Sequence, residues 1–125
     1  MSADQRPPVA VGHVFVHVAD VPAATEFFLT LGVRPIVTKD TFAVLELRGG
    51  THIVVRAAKE PVEPGQHIAF DFMVDDVPAT HAALASKGLE VGPIEQGRVH
   101  RGFDVTAPDG QLLKINSSHA GDRIV

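Results

Sequence analysis

The side chains best suited to chemistry in this chain are histidines on stretches that resemble β-strands. His13 and His17 alternate with valines in one stretch, and His52 and His67 begin two others. Alternate side chains of a strand share a face, so these histidines are expected on one face of a sheet. An imidazole can bind a divalent metal, act as a general base near neutral pH, or hydrogen-bond a ligand. That face is therefore where we expect a functional site.

The same alternation divides each strand into an aliphatic row, expected to pack against a helix, and a mixed row. Apolar walls with a few polar groups are typical of ligand cavities, so the mixed row predicts a small-molecule site. The alternative is a solvated face of the kind that antiparallel sheets often have. The predicted ligand-binding residues are His13, Phe15, His17, His52, Arg56, His67, Asp71, Met73, Lys114 and Asn116.

Several roles stay open for these side chains. His13 and Lys114 are the candidates for a catalytic role, and His17 is expected to be a hydrogen-bonded histidine of the cavity wall. Arg56 and Lys114 could clamp an anionic or carbonyl-bearing ligand. The alternative is that both pair with a carboxylate, either Asp71, Glu46 or another.

These strands belong to two modules that share a sequence pattern at an offset of 56 positions. The segment 18–23 returns as 74–79, and Gly32 returns as Gly88. Each module has the pattern strand, helix, three strands. We therefore predict a single domain, 1–125, made of module one (9–58), a linker (59–66) and module two (67–118).

Turn residues and caps set the expected bounds of the elements. Asp20 and Asp76 can each cap a helix, and Gly32 and Gly88 can end them. Prolines and a glycine mark the linker. The predicted strands are 11–18, 36–37, 42–47 and 52–56 in module one, and 68–74, 90–91, 99–106 and 112–116 in module two.

Composition excludes several classes of function for this chain. The 125 residues are 45% apolar, enough for one core, and the net charge of −4 comes with no basic patch, which argues against nucleic acid and anionic membranes as partners. Cysteine is absent, so thiolate metal sites and cysteine nucleophiles are excluded.

No apolar run reaches the roughly 20 residues that span a bilayer, and residues 1–8 lack the apolar core of a secretory signal. We expect a cytoplasmic protein.

The chain resembles the vicinal oxygen chelate superfamily, which includes glyoxalase I, extradiol dioxygenases and the fosfomycin- and bleomycin-resistance proteins. The resemblance extends from about Val11 to Ser118. It is carried by the paired modules, the spacing of His13 and Asp20, the Asp-Asp-Val segment at 75–77 and the Pro-Asp-Gly segment at 108–110. It implies an α+β fold in which two tandem βαβββ modules form a cup-shaped, partly closed mixed β-sheet with the helices outside. It also implies a homodimer that holds its ligand inside the cup.

The resemblance also locates the metal ligands of the superfamily's enzymes, at four equivalent points on the first and last strands of the modules. In this chain those points are occupied by His13, Ala69, Val54 and Lys114. Only the histidine is a suitable ligand, and a protonated lysine would repel a cation. We therefore expect no metal cofactor.

A relocated metal site is the alternative. It would bring together His13, His52 and His67 around zinc, manganese or iron, with Asp71 nearby. A bulge or a change of register would be needed to bring these histidines together.

Two functions are consistent with these residues and with the resemblance. The first is a small-molecule-binding protein of the glyoxalase/bleomycin-resistance type without the usual four-ligand metal site. The second is a divalent-metal-dependent lyase, isomerase or dioxygenase with an atypical histidine-rich site. The identity of the ligand, and whether the modules pair within a chain or exchange between chains, are left open.

Overall fold

The computed structural model describes residues 4–125. The predicted single domain begins at residue 1, so its first three residues lie outside the described part. Module one contains β1 (His13–Val18), α1 (Val21–Leu31), β2 (Arg34–Thr38), β3 (Phe42–Glu46) and β4 (His52–Ala57). Module two contains β5 (Phe72–Val74), α2 (Val77–Ser86), β6 (Glu95–Gln96), β7 (Arg101–Thr106) and β8 (Leu112–Ser117).

Both long helices begin at the predicted aspartate caps. The Asp20 carboxylate accepts a hydrogen bond from the Ala23 amide at 3.0 Å, and Asp76 accepts one from Ala79 at 2.9 Å. Each carboxylate satisfies an amide that has no partner inside the helix. Helix α1 ends at Gly32, whose φ of 106° is a left-handed conformation that favours glycine.

The strands form two four-stranded mixed sheets, with the orders β1-β4-β3-β2 and β5-β8-β7-β6. In each sheet the first strand pairs in parallel with the last strand of its module, and the remaining pairs are antiparallel. The predicted α+β class and the element order of the two modules are confirmed. Strands β1 and β5 lie at sheet edges, so each has only one strand neighbour.

The aliphatic rows form the core together with the helices. In module one this row includes Val16, Ile53 and Val55, and in module two Leu113 and Ile115; all of these side chains are buried. The apolar side of α1 packs against the same core through two phenylalanines at 27 and 28. The opposite row of each strand is left on the other face, as the alternation predicts.

Two strand predictions of module two were wrong in extent. Strand β5 covers only 72–74 of the predicted 68–74, because its first half departs from regular pairing and keeps only a bridge between His67 and Leu112. The predicted strand at 90–91 is reduced to a bridge between Val91 and Val105, and the short strand β6 forms later in the chain. Glu95 and Gln96 pair there with the start of β7.

Polar contacts join the two modules at both ends of β1. The Gln111 side chain donates to the carbonyl of His17 at 2.9 Å, and the Asp109 carboxylate accepts from the Ala19 amide at 3.2 Å. Near the start of β1, Arg48 forms an ion pair with Asp75 at 3.0 Å. These contacts fix the position of module two against the edge of module one.

The described residues contain no helix with both the length and the apolar character needed to cross a bilayer.

Candidate functional site

The start of module two is shifted in register relative to module one. His67 bridges Leu112, just as His13 pairs with His52, so His13 and His67 are counterparts separated by 54 positions. From Phe72 onward the separation is the expected 56, because Phe72 pairs with Ile115 as Val16 pairs with Val55. Two extra residues therefore lie between His67 and Phe72.

This shift changes the residue at the first-strand point of module two. The sequence offset assigns Ala69 to that point, but the backbone pairing assigns His67. Bulges of this kind re-aim side chains and are common beside functional sites. The equivalence of Ala69 with His13 was therefore wrong, because the offset was carried through an irregular segment.

His67 belongs to a cluster on the polar face of module two. The Asp104 carboxylate contacts His67 Nε2 at 3.0 Å and Lys114 Nζ at 3.2 Å through the same oxygen. Burial of Asp104 acts to raise its pKa, but the hydrogen bonds from His67 and Lys114 outweigh it and hold the pKa below its ordinary value. Lys114, at the last-strand point, is thus tied to a carboxylate.

Module one carries a similar cluster. The Glu46 carboxylate contacts His52 Nε2 at 3.0 Å and also forms an ion pair with Arg34. The hydrogen bonds from Arg34 and His52 hold the pKa of Glu46 below its ordinary value. The rings of His52 and His13 lie 5.9 Å apart, so these two histidines are neighbours.

Beside this cluster, β1 and β4 present an aromatic and a cationic group. The Arg56 guanidinium lies over the Phe15 ring at 4.8 Å, and His13 stacks on the same ring at 6.3 Å. Phe15 keeps 45% of its surface exposed. Within residues 4–125 no carboxylate lies in ion-pair range of Arg56, and His17 stands opposite it in the strand pair.

Lys114 pairs with a carboxylate, as the alternative prediction has it, but within residues 4–125 Arg56 forms no ion pair, and Asp71 is the partner of neither. Asp71 accepts a hydrogen bond from the Asn116 amide at 2.7 Å, while Lys114 pairs with Asp104 and Arg56 stacks on Phe15. Asp71, Met73 and Asn116 lie together on the polar face of module two, because Met73 pairs with Asn116 in the strand register.

The four points that hold the metal in the superfamily's enzymes carry an unsuitable set of side chains here. They are His13, His67, Val54 and Lys114, which offer two imidazoles, one aliphatic side chain and one ammonium group. Nowhere in residues 4–125 do three or more His, Asp or Glu side chains converge as a metal site. The residues present therefore do not fit the four-ligand site of the superfamily.

A cleft of about 660 Å³ lies between the modules. Its volume is in the range of small-molecule sites. The predicted residues Asp71 and Met73 line it, together with others that the strand alternation did not single out. Those others include Glu46, Arg48, Asp75, His100 and His119.

The composition of the cleft could only partly be foreseen. His100 Nδ1 hydrogen-bonds the Ser117 carbonyl at 2.9 Å, and its ring meets the ring of His119 edge-on at 5.1 Å. His100 lies in the strand predicted at 99–106, but that strand was not used to select candidates, and His119 lies beyond the predicted module two (67–118). The one available signal was the cross-strand proximity of the start of β7 and the end of β8.

Comparison with known proteins assigns the family. Residues 10–115 match the sequence profile of the Glyoxalase/Bleomycin resistance protein/Dioxygenase superfamily. The chain belongs to this superfamily. The predicted resemblance is thereby confirmed. No curated protein matches the sequence significantly.

Solved structures of this superfamily share the fold. A lactoylglutathione lyase from Agrobacterium tumefaciens is 15% identical with a TM-score of 0.75, covering 94% of this chain and 100% of its own. TnmS3, an antibiotic-binding protein from Streptomyces sp. CB03234, is 22% identical with a TM-score of 0.74 and coverages of 87% and 95%. A possible glyoxalase from Bacillus cereus is 26% identical with a TM-score of 0.69 and coverages of 86% and 97%. At these identities the likeness concerns the fold, which enzymes and binding proteins of this group share.

Proposed function

We propose that this protein binds an organic small molecule and does so without the four-ligand metal site of the superfamily's enzymes. The observation that carries the proposal is the position of Lys114 and its pairing with Asp104. Lys114 stands at a point where metal enzymes need a ligand, and its ammonium group is held by Asp104 at 3.2 Å. A cation fixed at this point opposes the binding of another cation.

The binding role is supported by the residues that remain on the polar faces and in the cleft. Phe15 and Met73 are 45% and 47% exposed, and both lie among polar groups. Apolar surface next to a few oriented polar side chains is typical of a ligand site. His13, His17, His52, His67, Arg56 and Asn116 would supply hydrogen bonds to the ligand, with His13 and Lys114 as the candidates if a reaction follows binding.

A homodimer is part of the proposal. Strands β1 and β5 are edge strands, and the exposed Phe15 and Met73 lie on them. Unpaired strand edges beside exposed apolar side chains favour association with a second chain. Association along these edges would also shield the polar faces from solvent and so complete the cup.

The second candidate is a divalent-metal-dependent lyase, isomerase or dioxygenase. The register shift favours it, because His67 rather than Ala69 is the counterpart of His13. Such an enzyme would need a rearrangement that brings His13, His52 and His67 around zinc, manganese or iron, because these three do not converge in the described residues. The metal would supply a Lewis acid for substrate oxygens.

Elemental analysis separates the two candidates. Protein purified without an affinity tag or chelator, then incubated with zinc, manganese or iron and desalted, should carry less than about 0.1 metal per chain. The His13→Ala variant, purified and treated in the same way, is compared with the wild type. Stoichiometric metal in the wild type that is lost in His13→Ala would overturn the proposal and support the metal enzyme.

A further inference from the structure

Both modules contribute apolar side chains to the mixed lining of the inter-module cleft. Module one contributes Val33 and Leu47, and module two contributes Phe72 and Met73. Met73 is flexible and 47% exposed, so it can adapt to the shape of an apolar ligand. The cleft thus suits a ligand with an apolar body.

Three carboxylates also line the cleft, and two of them have cationic partners. Glu46 is paired with Arg34 and His52, and Asp75 with Arg48 at 3.0 Å.

The third carboxylate, Asp71, has only a neutral partner, the Asn116 amide at 2.7 Å. Within the described chain no Lys, Arg or His nitrogen lies within 4.0 Å of it. Asn116 binds one Asp71 oxygen and anchors the side chain to β8. The remaining oxygen is free to accept a hydrogen bond.

An anchored carboxylate beside an apolar wall selects the charge of a ligand. A protonated amine would form a charge-assisted hydrogen bond with Asp71, whereas an anion would be repelled. We infer that the cleft takes an amphipathic amine, with the ammonium group on Asp71 and the apolar body against Met73, Phe72 and Leu47. This inference rests on the proposed binding function and names its ligand class.

Three naphthalene compounds of similar size test the inference. They are 2-(aminomethyl)naphthalene, 2-naphthalenemethanol and 2-naphthoate, which are cationic, neutral and anionic. Their affinities would be measured by calorimetry at pH 8, where the amine is cationic and naphthoate is anionic. We expect the amine to bind about tenfold more tightly than the alcohol, and naphthoate most weakly.

The Asp71→Asn variant should remove the preference for the amine. It keeps the shape of the side chain and an oxygen for Asn116, so it should lower amine affinity about tenfold and leave the alcohol unchanged. Asp40→Asn is the matched control, because Asp40 is an exposed carboxylate between β2 and β3. That variant should bind the amine within about twofold of wild type.

The outcomes separate this inference from the binding proposal. Equal or tighter binding of naphthoate, or an amine affinity unaffected by Asp71→Asn, overturns the amine preference while leaving a binding protein. Amide chemical shifts that change around His13 and Phe15, and not around Leu47 and Met73, overturn the assignment to the cleft. Absence of binding by all three compounds overturns the inference as well, while elemental analysis still decides between binding protein and metal enzyme.

Discussion

Single carboxylates organise the polar face of each module. Asp104 holds His67 and Lys114, and Glu46 holds His52 and Arg34. A histidine that donates one ring nitrogen to a carboxylate keeps the other as an acceptor. Each pair therefore fixes the orientation of its imidazole without a metal.

The Asp104 cluster should affect stability in acid. Because the folded-state pKa of Asp104 lies below its ordinary value of 3.8, the carboxylate stabilises the fold above that value. This stabilisation is lost as the pH falls through the folded-state pKa. Asp104→Asn should cost about 1 kcal/mol or less at pH 7, and its free energy of unfolding should converge with that of wild type below about pH 4.

Urea unfolding followed from pH 7 to pH 3 would measure this convergence. Asp40→Asn, which removes a carboxylate outside the cluster, should track wild type at every pH. A wild-type advantage over Asp104→Asn that grows on acidification would contradict the prediction.

At the scale of elements, the pairing of β7 with β8 positions the Asp71 anchor. Gly102 lies opposite Asn116, and a Cβ there would come within 2.5 Å of the Ile115 carbonyl oxygen and of Asn116 Oδ1. The close approach of these strands therefore requires glycine. The same approach fixes the asparagine that holds Asp71.

Gly102→Ala should separate the two strands locally. We expect a loss of about 1–3 kcal/mol in the free energy of unfolding, because the clash involves backbone and cannot be relieved by a rotamer change. Thermal and urea denaturation measure this loss. Gly12→Ala is the control, since a Cβ at Gly12 meets nothing within 4 Å, and it should stay within about 0.5 kcal/mol of wild type. Equal stabilities of the two variants would refute the role of Gly102.

At the scale of the whole molecule, β1 and β5 each have an edge without a strand partner in residues 4–125, and each carries an exposed apolar side chain. Light scattering after size exclusion should give about 26.6 kDa, twice the 13.3 kDa of one chain. Replacing Phe15 and Met73 with lysine should shift the mass towards one chain, because charged side chains on strand edges oppose association. Arg34→Lys, which preserves charge away from both edges, is the control. A mass of one chain for the wild type at micromolar concentration would rule out the proposed dimer.

The candidate site could be predicted only in part. Alternation along β1 and β8 correctly placed His13, Phe15 and Lys114 on the mixed face, because both strands are regular. Which carboxylate holds Lys114 could not be foreseen. Asp104 became the partner of Lys114 through the β7–β8 register, which depends on pairing between segments distant in sequence.

The sequence by itself determined the two modules, their helix caps and the division of each strand into two faces, because these depend on local residue types and short spacings. Tertiary structure decided the register in which two extra residues make His67 the counterpart of His13. It also decided the cleft, where Asp71 has no cationic partner among residues 4–125. Both depend on which strands pair and how the modules pack. Hydrogen bonds and side-chain packing between distant segments set these arrangements, and a repeat offset alone does not specify them.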